Sequence, residues 1–139
     1  MPSNLRFIAI LLVAASAGGI VSLAVLERQD EARARTQAEA MTGGRVDAGR
    51  AAIGHYGCGA CHRIDGVDGA WGRTGPSLEG VAVDALIAGR LANTPENLML
   101  WMRDPQSVVP GTGMPHLGID ERDARDVAAY LYTRRPKPS

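Results

Sequence analysis

"YGCGACHRID", residues 56–65, holds both cysteines of the 139-residue chain, Cys58 and Cys61, and follows the second directly with His62. A cysteine pair at this spacing can hold a metal, run thiol–disulfide exchange, form a structural disulfide or take a covalent cofactor. A structural zinc needs four ligands. Beyond this cluster only His55 and His116 can add to it, His55 sits close enough to crowd the site, and the usual second ligand pair is absent. A thioredoxin-like centre needs a βαβ setting, which the chain does not offer. A plain disulfide suits an oxidising compartment but leaves a small core unexplained. On one helical turn, residues i and i+3 project from the same side. Cys58 and Cys61 can therefore bond two neighbouring vinyl groups on a porphyrin edge as thioethers, and His62 can stand over the ring as proximal ligand. The stretch reads as the attachment site of one c-type haem.

Composition supports a cofactor inside the core. The chain has one Phe, two Trp and three Tyr, and Phe7 falls in the N-terminal apolar run. A domain of fewer than about 100 residues is marginal on apolar burial alone and often needs a covalent or metal staple. Charge is balanced at 15 basic and 15 acidic residues, and Lys137 is the only Lys. No basic footprint points to nucleic acid, which is excluded as a partner.

The N-terminus sets the compartment. Phe7 to Leu26, "FIAILLVAASAGGIVSLAVL", is twenty residues without a charge, enough at 1.5 Å per residue to span a bilayer core of about 30 Å. An Ala-x-Ala site ends at Ala17, as in a cleaved signal peptide, but apolar character runs on for nine residues and stops only at Glu27. A retained anchor is expected over residues 1–26, inserted in the lipid bilayer through residues 7–26. The chain is then a single-pass protein of a bacterial inner (plasma) membrane, with the remainder on the periplasmic, outer face. Residues 27–45, polar on all sides and closed by Gly43-Gly44, are expected to form a helical stalk or linker. Residues 46–139 form the haem domain.

Within that domain the pattern predicts helices and loops only. Asp47–Gly57 is helix-compatible, and 63–80 is loop, marked by Gly66, Gly69, Gly72, Gly75 and Pro76. Asp84–Arg90 is expected to form about two helical turns. "TPENLMLWMRDP" predicts a helix with Thr94 as cap, Pro95 at the first position and Pro105 forbidding continuation. Residues 105–118 are expected to be irregular, and Asp120 to cap a last helix over 121–134. The fold class is all-α.

The sixth iron ligand has several candidates: Met41, Met99, Met102, Met114, His55 and His116. Met99 and Met102 lie one turn apart beside Leu98 and Trp101, a stripe that usually packs a core. Met114 sits in "PGTGMPHLG", where Gly and Pro suppress regular structure and can lay a loop over the far side of a haem. Met114 is the choice, with His116 its rival.

Together "CGACH" (58–62), "GPSL" (75–78), the "GMP" loop (113–115) and "DVAAYLY" (126–132) resemble a class I cytochrome c over residues 47–134. The resemblance implies that fold around one covalent haem, with Pro76 offering its carbonyl to the second nitrogen of His62. It implies a first helix crossing the last, with Gly49 (or Gly54) meeting Tyr130 or Tyr132. Trp71, Arg73, Arg90 and Trp101 are potential donors to the haem propionates. With iron held by His62 and Met114 no coordination site is open, so the expected activity is one-electron transfer and not catalysis. Family analogy gives a membrane-anchored carrier in a respiratory chain, running from a quinol-oxidising complex to a haem–copper terminal oxidase. The alternatives are a haem c subunit integral to a larger oxidase or dehydrogenase, and a gas-binding sensor with an open iron.

Overall fold

The computed structural model describes residues 3–134. Met1 and Pro2 of the expected anchor, and the last five residues assigned to the haem domain, lie outside the described residues. The chain divides into two units, one up to Arg33 and one from Ala34 onward. The described residues of the first unit all belong to helix α1 (Ser3–Thr42). Its apolar side chains, among them Phe7, Ile10, Leu12 and Leu23, are exposed, and the helix is long and apolar enough to cross a membrane.

The second unit begins with the end of α1 and continues through α2 (Val46–His55), a 3₁₀ turn (Cys58–Ala60), a hairpin of β1 (Leu86–Ile87) and β2 (Leu91–Ala92), α3 (Pro95–Arg103), α4 (Pro105–Val108) and α5 (Glu121–Tyr132). Helix α2 packs mainly on α5, and α3 packs on α5 as well. The core between them is built from Ile53, Leu98, Met102, Val127, Ala128 and Leu131, joined by Ile64 and Val81 from the loops.

Helix ends follow the sequence. Thr94 Oγ1 accepts from the Asn97 N–H, Pro95 occupies the first position of α3, and Asp120 accepts from the Asp123 N–H at the start of α5. Helix α2 has no local side-chain cap. Its first donors go instead to carboxylates from other elements: Val46 N–H to Glu39 Oε1 at 2.9 Å and Arg45 N–H to Asp126 Oδ1 at 2.7 Å. Negative charge at a helix N-terminus is favourable there for both hydrogen bonding and the helix dipole. That explains why Asp126, on the core side of α5, can be buried.

The crossing of α2 and α5 rests on Gly49. A Cβ built there would overlap the Asp126 carbonyl and lie 3.0 Å from Tyr130 Cβ, whereas one on Gly54 meets nothing within 4 Å. Gly49 and Tyr130 are therefore the contact pair, and Gly54 takes no part in it.

Three local expectations are corrected. The stretch expected to be helical at 84–90 is the antiparallel hairpin, with Ile87 paired to Leu91. Ala88 and Gly89 turn there with φ of 51° and 66°, values a right-handed helix excludes. Residues 105–118 are not irregular throughout, because Asp104 caps the short α4 and restarts the helix after Pro105. Finally, the end of α1 is not polar on all sides. Ala38 and Thr42 are buried, and Arg35 pairs with Asp47 at 2.5 Å and with Glu39 at 3.4 Å.

Candidate haem-binding site

Cys58, Cys61 and His62 are brought together by a single turn. Gly57 enters it with φ of 68°, a left-handed value that glycine adopts without a Cβ penalty. The Cys61 and His62 N–H groups then both donate to the Cys58 carbonyl, at 3.2 and 2.9 Å. Both cysteines are free thiols and half-buried. Burial pushes the Cys58 thiol above its ordinary pKa, and the neighbouring Cys61 adds to the rise. Among the described residues no three His, Cys, Asp or Glu side chains converge as metal ligands.

The loop that follows wraps back over this turn through main-chain bonds. Gly72 N–H donates to the Gly59 carbonyl at 3.0 Å, Gly75 N–H to Cys61 at 2.9 Å and Leu78 N–H to Arg63 at 2.9 Å. Tyr130 Oη ties the loop to α5 by donating to the Asp65 carbonyl at 2.7 Å, and Arg63 pairs with Glu79 at 2.5 Å. The bond from Gly75 to Cys61 sets Gly75-Pro76 against the imidazole of His62. There His62 Nδ1 lies 2.7 Å from the Pro76 carbonyl. A carbonyl can only accept, so Nδ1 carries the proton and Nε2 keeps its lone pair for a ligand. A Cβ on Gly75 would come within 2.7 Å of Nδ1, so glycine is what lets the ring and the loop approach.

Met114 comes from the other side of the sequence. It is half-buried and packs, like Cys58, against the common core. Met99 packs, partly buried, against the same core. Met102 is a buried core residue, and Met41 is exposed on α1. Met99 and His116 line a cavity of about 560 Å³ whose wall includes Arg103, Ile119 and Glu121 but not Cys58, Cys61 or His62. His55 is exposed and stacks edge-on to Tyr56 with ring centroids 5.0 Å apart. Of the expected propionate donors, Trp101 is half-buried against the core, while Trp71, Arg73 and Arg90 are exposed.

The donor set fits a haem: two free thiols one turn apart, an imidazole with one nitrogen committed to a carbonyl and the other free to ligate, and a thioether on a separate loop. Helices α2 and α5 crossed at Gly49, with these groups on the connecting loops, define a small helical haem-binding domain. Residues 46–134 match the family model described as Cytochrome c, and the chain belongs to that family, as a class I c-type cytochrome whose cofactor class is haem c. Proteins of this kind carry electrons.

Three relatives agree over part of their length. The chain is 37% identical over 84 residues to "Cytochrome c oxidase subunit 2" of Alkalihalophilus pseudofirmus, covering 60% of this chain and 24% of that one. It is 39% identical over 79 residues to the protein of the same name from Bacillus sp., covering 52% of this chain and 22% of that one. It is 34% identical over 97 residues to "Cytochrome c homolog" of Bradyrhizobium diazoefficiens, covering 58% and 52%. The match thus spans about a quarter of the oxidase subunits and half of the cytochrome c homologue. No solved structure matches the chain.

Proposed function

We propose that the protein is a membrane-anchored, mono-haem, one-electron carrier of a respiratory chain. In this reading Cys58 and Cys61 would hold the haem as thioethers, His62 and Met114 would ligate its iron, and Pro76 is the acceptor that orients His62. The haem supplies a one-electron couple; the chain's own residues set its terms. The bond from His62 Nδ1–H to the Pro76 carbonyl fixes the ring and makes Nε2 a stronger donor. A methionine sulfur opposite it favours the reduced state and raises the potential. With both positions filled by side chains, small molecules have no place to bind, which leaves electron transfer as the activity. The observation that carries the reading is the 2.7 Å contact between His62 Nδ1 and the Pro76 carbonyl, which leaves Nε2 free to ligate.

The exposed apolar face of residues 7–26 supports a bilayer anchor, with the haem domain on the periplasmic side of an inner membrane. Confinement to two dimensions would raise the carrier's effective concentration beside a quinol-oxidising complex and a terminal oxidase. A second reading, a haem c subunit built permanently into an oxidase, is favoured by the two relatives named as oxidase subunits. Purification of the full chain from membranes in mild detergent separates the two. A shuttle elutes alone with one covalent haem, and an integral subunit elutes with stoichiometric partners. Fractionation with the soluble contents after membrane washing would refute the anchor.

A further inference from the structure

The loop that carries Met114 is held by a side chain no sequence motif marks. Asp104 caps α4 through the Ser107 N–H at 3.3 Å, and the fully buried Pro105 seats the start of that helix in the core. The next residue, Gln106, is exposed, and its amide turns onto the chain that follows. Nε2 donates to the carbonyls of Thr112 at 3.0 Å and Met114 at 3.1 Å. Oε1 accepts from the Gly111 N–H at 3.0 Å. These partners fix the orientation of the amide, because flipping it would set oxygen against two carbonyls and nitrogen against an N–H.

Beyond the packing of Met114 on the core, the loop makes few bonds of its own. Its own bonds are Thr112 N–H to the Val109 carbonyl at 3.1 Å and a long one from Met114 N–H to Thr112 Oγ1 at 3.4 Å. Cβ atoms on Gly111 or Gly113 would meet nothing within 4 Å, and Gly111 has φ of 80°. Two glycines without packing give the released loop many conformations, so holding it costs entropy that something must offset.

We propose that Gln106 is the positioning residue for Met114: its amide joins three residues of the loop to α4 and so sets how often the sulfur leaves iron. The proposal rests on Met114 being the sixth ligand. An external ligand such as imidazole binds ferric iron only when that position is open, so its apparent affinity scales with the open fraction. Losing three surface hydrogen bonds should raise that fraction about tenfold.

The test titrates imidazole into the oxidised, full-length holoprotein in detergent, for wild type, Gln106→Ala, Gln106→Glu and Met114→Ala. Gln106→Glu keeps the acceptor for Gly111 and removes both donors, and it decides the matter if Gln106→Ala fails to accumulate. Expected are about tenfold tighter imidazole binding in the Gln106 variants, with haem content and thermal midpoint close to wild type, and still tighter binding in Met114→Ala. Wild-type imidazole affinity in both Gln106 variants, beside much tighter binding in Met114→Ala, overturns the clamp alone. Wild-type affinity in Met114→Ala overturns the ligand assignment and the clamp with it.

Discussion

The two loops that frame the site are held by different means. On the His62 side, Gly72, Gly75 and Leu78 donate main-chain N–H groups to the carbonyls of Gly59, Cys61 and Arg63, and His62 itself meets a main-chain carbonyl. On the Met114 side, the amide of one exposed glutamine supplies three bonds. Main-chain bonds do not depend on the chemistry of most side chains, so the histidine's geometry is written into the path of the backbone and the glycines that permit it. The methionine's position depends on a group that one substitution removes. Under the proposed ligand set, that difference would make the proximal ligand permanent and the sixth position the adjustable one.

The largest effect should come from removing the cysteines. Cys58→Ser with Cys61→Ser is expected to yield a chain without covalent haem that accumulates poorly, a loss comparable to the ~5–15 kcal/mol that stabilises a whole domain. A folded helical apoprotein by circular dichroism would show that the proximal loop stands without its staple. Next comes a pair of glycine substitutions. Gly49→Ala and Gly75→Ala each force a Cβ into occupied space, costing about 1–3 kcal/mol. Only Gly75→Ala touches the imidazole, so it alone should also shift the visible spectrum. Equal spectral changes in both would mean that the scaffold and the proximal loop are not separable.

A smaller effect is expected at alkaline pH, away from both loops. Tyr132 Oη donates to Asn93 Oδ1 at 2.7 Å, and Asn93 Nδ2 holds the carbonyls of Val81 and Asp84, so this tyrosine ties α5 to the approach of the hairpin. Burial, with Glu96 adding repulsion, pushes its pKa up to about 12. The folded state therefore favours the neutral phenol. The contribution is present in full below the ordinary value near 10 and is lost as pH rises through 12. Because the side chain is only half-buried, the loss should be about 1 kcal/mol rather than the full equivalent of the shift. Urea midpoints between pH 9 and 12 check this, and Tyr132→Phe should flatten that limb of the profile. The smallest effect should be that of salt. From Glu27 onward 14 basic residues face 15 acidic ones, so electron-transfer rates should change by less than about threefold between low and physiological ionic strength. A steep fall would reveal a clustered arginine face.

Where chemistry needs a residue type at a fixed spacing, the sequence is readable. Cys58, Cys61 and His62 share one turn; Pro76 against His62 and the glycine–tyrosine crossing follow only from the family resemblance, which leaves Gly54 and Tyr132 open until the folded crossing selects Gly49 and Tyr130. Features that depend on partners distant in the chain are not readable locally. "ALIAGRLA" has the composition of a helix, yet Gly89 turns it, and Asn93 holds the approach to the turn by its bonds to Val81 and Asp84. The carboxylates that cap α2 come from Glu39 and Asp126, seven and 81 residues from the N–H groups they accept from, so no local capping pattern signals them. Ala38 and Thr42 lie four residues apart in a segment dominated by charge, a stripe too narrow to stand out as a buried face. No local pattern marks Gln106, because the three groups it binds converge only once the loop has folded.

The most direct test of the account is the near-infrared spectrum of the oxidised protein, wild type against Met114→Ala. Wild type should show the weak charge-transfer band that sulfur–ferric coordination produces. Met114→Ala should lose it and gain carbon monoxide binding on reduction while keeping its covalent haem, since Cys58, Cys61, His62 and the bond to Pro76 are untouched. A band that persists in Met114→Ala, or ready carbon monoxide binding by the unmodified protein, would contradict the proposed ligand set and the electron-carrier reading built on it.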